Sequence, residues 1–402
     1  MRKIDTDIAI AGGGIAGLAA AARLGADGHR VVVVDPAPET SGATRDGTED
    51  LRTTAYLSPG IATLSRAGAW ERMARRGAPL WTMRIVDAGG QVRAPRERAD
   101  FVSREIQDGP FGWNIPNAQA RTALRARIAE MAGVELLAGV SVTGFLGRSG
   151  EAVLRLSDGR QLEATLAIAA DGRDSGLRRA AGIGARRWSY GQRALVFAVT
   201  HEVLHNGVST EIHRTGGPLT LVPMPDDEGR PCSAVVWMVP GSRAAELMAH
   251  DNTRLAGELT AETMGLFGPL EIRGPRASWP IISQIADRLT ARRLAVLGEA
   301  AHVIPPIGAQ GLNMSLADIE CLARQIVAAG AGDIGAVPVL DGYAQRRWPE
   351  IIARVMGVDV LNRFAMAEPQ PLRDLRLLGL RAIARVAPIR RLAMRAGLGA
   401  AP

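Results

Sequence analysis

Residues 297–319 read LGEAAHVIPPIGAQGLNMSLADI. The apolar run at 294–298 (LAVLG) predicts a buried strand leading into this stretch. An acidic residue, Glu299, follows, and then a loop containing Pro305, Pro306, Gly308 and Gly311 that opens into a helix. The first N–H groups of a helix have no partner within it, and they point together at one spot. Such a loop suits an anionic or carbonyl-rich ligand.

A second ligand signal lies near the start of the chain. Residues 4–11 (IDTDIAIA) predict a strand, 15–27 an Ala-rich helix and 31–35 (VVVVD) a buried parallel strand. Between the first two elements, Gly12, Gly14 and Gly17 fit GxGxxG, with Ile15 and Ala16 opening the helix. The first glycine permits a tight turn, the second lets backbone approach a pyrophosphate and the third lets helix pack on strand. Asp35 ends the second strand, where an acid accepts hydrogen bonds from an unphosphorylated adenosine ribose. The unit predicts dinucleotide binding.

A third segment, AADGRDSGLR at 169–178, follows another apolar strand. By itself it is an Asp-Gly turn. In order and spacing the three segments resemble the three fingerprints of the single-component FAD aromatic hydroxylases. Within that class the chain resembles the ubiquinone-biosynthesis hydroxylases, through DLRTTAYLSPGI (50–61), YGQRALVFAVTHEVLHNG (190–207), GPLTLVPMP (217–225) and the whole of 297–319. The resemblance implies an α/β fold like that of para-hydroxybenzoate hydroxylase: a Rossmann-like FAD-binding domain, an inserted antiparallel-sheet substrate domain and a helical C-terminus.

The same resemblance implies roles for individual residues. Gly12, Gly14 and Gly17 would cradle the FAD pyrophosphate and Asp35 the adenosine ribose. Arg52 and Asn117 would lie near the FAD. Asp171 and Gly172 match a motif associated with both FAD and NAD(P)H. Glu299 would meet the ribityl and pyrophosphate region. Pro305 and the run from Gly308 through Gly311 to Leu312 and Asn313 would border the flavin ring, with the last two N–H groups facing its pyrimidine carbonyl. Glu299 stands where the family usually has Asp, and Ala309 where it usually has Gly. No catalytic base is assigned.

The remaining chain organises around these segments. Residues 117–132 predict a helix, and 152–170 a hairpin turning at Asp158-Gly159. From about 190 to 285 the pattern is strand-like, as in ALVFAVTHEV, PLTLVPMP and CSAVVWMVP. From about 314 onward it is helical. The expected FAD domain is therefore discontinuous, at 1–85, 112–185 and 286–335. The substrate sheet takes 86–111 and 186–285, and a helical region takes 336–402. His201-Glu202-Val203-Leu204-His205 satisfies HExxH, a zinc-protease pattern. The strand-like residues before it and Asn206-Gly207 after it argue against the helix that pattern needs, so no metal site is expected.

Composition narrows the class further. The chain has 402 residues, 47% hydrophobic, so a large core is available and two or three structural units are expected. Cys232 and Cys321 are the only cysteines, which predicts a reducing, cytoplasmic setting with no disulfide framework. No run of about 18 apolar residues predicts a spanning helix. The net charge is +7, and residues 371–402 hold seven arginines against Asp374, so nearly all of the excess sits in the tail. That points to a local interaction and away from nucleic acid. A helix between Pro371 and Pro388 would put Leu372, Leu375, Leu378, Ile383 and Val386 on one side, and Arg373, Asp374, Arg381 and Arg385 on the other. It reads either as a docking element for a membrane surface or a biosynthetic partner, or as a packed terminal helix with a solvated Arg face.

The function expected from the resemblance is FAD-dependent hydroxylation of a polyprenyl-phenol ring with NAD(P)H as co-substrate. The alternatives are a hydroxylase of a small soluble aromatic and a non-catalytic flavoprotein scaffold.

Overall fold

A computed structural model describes residues 3–38 and 52–398. Asp50 and Leu51 of the segment at 50–61 lie outside the described residues. Strand Lys3–Ala11 is the centre of the first sheet, pairing in parallel with Val31–Asp35 on one side and Gln161–Ala169 on the other. Ile10 sits level with Val33 and Ile168. These central strands are almost continuously apolar because side chains on both of their faces are buried. Leu294–Val296 extends the sheet beyond Gln161–Ala169, and Val134–Ala138 extends it beyond Val31–Asp35. The hairpin expected at Asp158-Gly159 is present, joining Ala152–Leu156 to Gln161–Ala169.

The second sheet also has eight strands, in the order His302–Val303, Glu271–Ala286, Ala185–Thr200, Arg230–Pro240, Pro218–Asp227, Val208–His213, Thr82–Asp87 and Glu97–Val102. It is antiparallel except where Val208–His213 runs parallel to Thr82–Asp87. Two helices, Gly241–Ala249 and Asn252–Glu262, interrupt the stretch that sequence pattern reads as strand. Their Ala244, Leu247, Leu255 and Leu259 cover one face of the sheet against Phe197, Leu221 and Val235. The other face is left to form a cavity. A small third sheet of Thr53–Leu57, Gly112–Pro116 and Ala78–Leu80 stands between the two large ones.

The helical C-terminal part is built from Gln310–Ala329, Val337–Met366, Gln370–Arg385 and Ala387–Leu398. In Gln370–Arg385 it is Leu377 and Leu380 that are buried, while Leu372, Leu375 and Leu378 are exposed. The arginines explain this orientation. Arg376 reaches Asp87 at 3.0 Å, Arg381 reaches Glu97 at 2.6 Å, and Arg390 of the last helix reaches Glu105 at 2.8 Å. Of the Arg face expected to be solvated, Arg381 is thus a clamp onto the second sheet, while Arg385 stays exposed.

The HExxH stretch is a loop, not the continuation of a strand. Nδ1–H of His201 donates to the Val203 carbonyl at 2.8 Å, and its Nε2 accepts from the Ser233 hydroxyl at 2.9 Å. Nε2–H of His205 donates to the Met224 carbonyl at 3.2 Å, and its Nδ1 accepts from the Gly207 N–H at 3.1 Å. Burial also holds the His201 pKa down. Both lone pairs that zinc would need are engaged.

Candidate active site

Close contacts dictate the Gly-rich turn. Gly12 has φ +108°, and a Cβ there would stand 2.3 Å from the Ala170 carbonyl oxygen. A Cβ on Gly17 would stand 1.8 Å from the Gly12 carbonyl oxygen. Gly14 differs. Its backbone is ordinary (φ −72°, ψ 178°), and a Cβ there would meet nothing within 4 Å. Helix Ile15–Ala26 begins at that open space with no side chain capping it. Unpaired helix N–H groups facing open space fit a diphosphate. Asp35 leans over the turn, with one carboxylate oxygen accepting from the Gly13 N–H and the other from the Ala37 N–H at 2.8 Å.

The three sequence segments meet here. Gly12 lies against Ala170 and Asp171, and a Cβ on Gly298 would lie 3.4 Å from the Ala16 Cβ and the Ser315 Oγ. The Arg178 guanidinium donates to the Ala300 carbonyl at 2.7 Å, tying the second segment to the third. Asp171 accepts from the Ser175 hydroxyl and, at 3.0 Å, from the Leu177 N–H, so it shapes the turn in which Gly172 sits at φ +86°. Glu299 is half-exposed, 3.6 Å from Arg173, and lines the main cavity.

The loop before Gln310–Ala329 ends on Ala309, which is left-handed at φ +56°, ψ 30°. Asn313 sews this helix start to the third sheet, accepting from the Leu57 N–H at 2.9 Å and donating to the Ala55 carbonyl at 2.8 Å. Gly308, Gly311 and Leu312 line the cavity. Pro305 is buried and accepts from the Ile307 N–H at 2.8 Å, whereas its neighbour Pro306 is the proline on the cavity wall. Arg52 stacks over Trp279 at 5.2 Å, and its carbonyl accepts from the Asn117 N–H at 2.9 Å. The Asn117 side chain accepts from the Thr54 hydroxyl at 2.7 Å. Arg52 and Asn117 sit at one end of the third sheet, beside the cavity-lining Thr53 and Thr54.

Behind the loop lies a network that sequence reasoning missed. Asp318, wholly buried, accepts from His302 Nε2 at 2.7 Å, Arg347 Nε at 2.8 Å and the Gly298 N–H at 3.1 Å. Burial alone would raise its pKa, but His302 and Arg347 hold it below the usual carboxylate value. One signal was available: an aspartate sharing a helix face with Met314, Ile319 and Leu322, all buried, needs a buried partner.

The cavity has a volume of about 820 Å³. The 304–312 loop bounds it at one end, and the second sheet forms its floor through Met83, Ile85, Val222 and Val236. The two terminal helices form the far wall through Leu380, Ile383, Met394 and Leu398. Gln310 donates to the Gly397 carbonyl at 2.6 Å, so the last helix closes directly over the loop.

An FAD binding domain matches residues 5–356. The chain belongs to that family. FAD is accordingly its cofactor, and the open space at Gly14 is consistent with it. Among the relatives, a ubiquinone hydroxylase (UbiL) of Rhodospirillum rubrum is 32% identical, over 98% of this chain and 89% of its own. A 3-demethoxyubiquinol 3-hydroxylase of Escherichia coli is 27% identical, over 99% of this chain and 100% of its own. Among solved structures, a p-nitrophenol 4-monooxygenase of Pseudomonas putida superposes with a TM-score of 0.79 at 18% identity, covering 99% of each chain. Fold and enzyme class therefore agree with the expectation from sequence: this member of the family is an FAD-dependent aromatic hydroxylase.

Proposed function

We propose that the protein hydroxylates the aromatic ring of a polyprenyl phenol on the route to ubiquinone, using NAD(P)H and O₂. The observation that carries this reading is the cavity. It is mostly apolar, it begins at the Gly308–Leu312 turn, and its outer margin holds Leu361, Phe364 and Leu375, all substantially exposed. A margin of that kind suits a hydrocarbon tail leaving the pocket. A small aromatic acid would want a free cation, but the cavity arginines are engaged, Arg84 with Asp100 and Arg376 with Asp87. The names of the relatives above point to the same substrate class.

When bound, FAD supplies the electron transfer from NAD(P)H and the activation of O₂. The chain's own residues bind, orient and exclude water. Gly12, Gly14 and Gly17, with Ile15 and Ala16, would hold the diphosphate, and Asp35 the ribose after releasing Gly13. Glu299 would meet the ribityl chain. The Leu312 and Asn313 N–H groups would face the ring carbonyl, with Gly308 and Gly311 alongside. Arg52, Asn117, Asp171 and Gly172 would support the cofactor from the rim, and Pro305 from behind the loop. The division into a discontinuous FAD domain, a substrate sheet and a C-terminal helical region belongs to the same proposal, supported by the two large sheets.

Docking at a lipid surface completes the reading. Among the described residues, eleven of the eighteen exposed large apolar side chains lie between Ile352 and Leu392, and three of them, Leu361, Phe364 and Leu375, line the cavity. Among the described residues no helix is long and apolar enough to cross a membrane, so contact would be made by this face. Arg391 and Arg395 are exposed beside it.

The test is turnover. FAD-loaded protein should oxidise NAD(P)H faster with a prenylphenol present and release a product heavier by one oxygen. Protein that cannot be reconstituted with FAD, or that forms no hydroxylated product, would overturn the proposal.

A further inference from the structure

The cavity floor carries one charged group that the fold does not use. Strand Val208–His213 alternates: Ile212 packs into the apolar cluster under the sheet, while Ser209, Glu211 and His213 face the cavity. In register, Glu211 lies level with Ile85 on one side and Thr220 on the other, and Thr220 lies level with Val236. Glu211 therefore stands on the cavity floor beside Ser209, His213 and Thr220, with Met83, Ile85, Val222 and Val236 making up the apolar part of that floor.

Its partners set it apart. Every other carboxylate lining the cavity faces an arginine: Asp87 has Arg96 and Arg376, and Glu299 has Arg173. Among the described residues Glu211 has only His213, whose Nε2 is 2.6 Å from one carboxylate oxygen. The second oxygen has no hydrogen-bond partner among them, nor does the buried His213 Nδ1. A carboxylate oxygen turned into a mostly apolar cavity is poorly solvated until a donor meets it. The cavity is sized for a ligand, so the ligand is the natural donor.

The geometry points to Glu211, positioned by His213, as the acceptor for the hydrogen of the substrate's ring hydroxyl. The inference rests on the phenol reading above and deepens it. A carboxylate accepting that hydrogen fixes the ring's rotation in the cavity. It also shifts electron density from the oxygen into the ring, which favours attack on an electrophilic oxygen. It further sets specificity. A quinone or a methyl ether offers no O–H and would bring lone pairs against the second carboxylate oxygen, leaving that oxygen without a donor.

The test compares two probes on the FAD-loaded full chain, 2-farnesylphenol and its methyl ether, with binding read from the flavin spectrum. Wild-type protein should prefer the phenol by on the order of 100-fold. Glu211→Leu should bring the two affinities to within about threefold by weakening phenol binding, with FAD content unchanged. The near-isosteric Glu211→Gln, which keeps an acceptor oxygen, should fall between. A Glu211→Leu or Glu211→Gln protein that keeps the wild-type preference overturns the inference, as does equal loss of both probes. Wild-type protein that binds both probes equally overturns this inference alone. Wild-type protein that binds neither removes the phenol reading along with it.

Discussion

His302 Nε2 stands 2.7 Å from Asp318 Oδ2, and neither side chain is more than marginally exposed. The contact ties the residue just before the 304–312 loop to the helix just after it. The other carboxylate oxygen takes Arg347 from the next helix at 2.8 Å. The loop is thus held at both ends by one buried acid.

Asp318→Asn should therefore destabilise the protein by about 3 kcal/mol, because Arg347 loses its main buried counter-charge. The folded pKa of Asp318 lies below its ordinary value of 3.8. The stabilisation it gives is present above about pH 4 and fades as pH falls through the folded-state pKa. Thermal melts across pH 3 to 7 should show a steeper acid limb in wild type than in the variant, and parallel curves would refute the assignment.

The glycines separate folding from binding. Gly14→Ala should fold and melt as wild type, since its Cβ meets nothing, yet lose FAD because the methyl group fills the proposed diphosphate space. Gly17→Ala, with a Cβ 1.8 Å from a carbonyl oxygen, should lose both fold and FAD. Melting temperature and flavin content measured together distinguish the two.

Ala309 is a non-glycine residue held in the left-handed region. Replacement by Gly removes a strain of about 1 kcal/mol while loosening the unfolded chain by a similar amount, so the net stability change should be small. FAD affinity is the sharper measurement. If the methyl group crowds the flavin, Ala309→Gly should tighten binding severalfold, and equal affinity would show that the loop accommodates it.

Asp359 gathers Trp188 Nε1 at 2.8 Å, the Tyr190 hydroxyl at 2.6 Å and Arg363 at 2.8 Å, joining the second sheet to helix Val337–Met366. Burial opposes ionisation, but Arg363, Tyr190 and Trp188 outweigh it and bring the pKa to about 2. Its contribution should be present above about pH 4 and lost as pH falls toward 2. Asp359→Asn should lower stability by about 1–3 kcal/mol at neutral pH and by less at pH 2, readable from denaturant melts.

The exposed cavity margin predicts lipid binding. Leu361→Asp combined with Leu375→Asp should abolish co-sedimentation with phosphatidylglycerol vesicles while leaving FAD content intact. Retained sedimentation would place the docking surface elsewhere.

The sequence by itself determined the cofactor class and the α/β frame. A left-handed glycine, a helix start and an apolar parallel strand are local requirements, and each is written in a few adjacent residues. Gly12, Asp171 and Glu299 could therefore be singled out before any contact among their segments was known. It was also legible that the terminal helix has two faces. Which face turns inward was not, because that depends on Arg376 meeting Asp87, 289 residues away in the chain. The two helices within 241–262 were missed because the β-branched strands around them dominate the local pattern. The cavity, the buried Asp318 and the uncommitted Glu211 belong to the tertiary structure alone. A cavity is space enclosed by side chains from distant segments, and a charge stands out only once its partners are known.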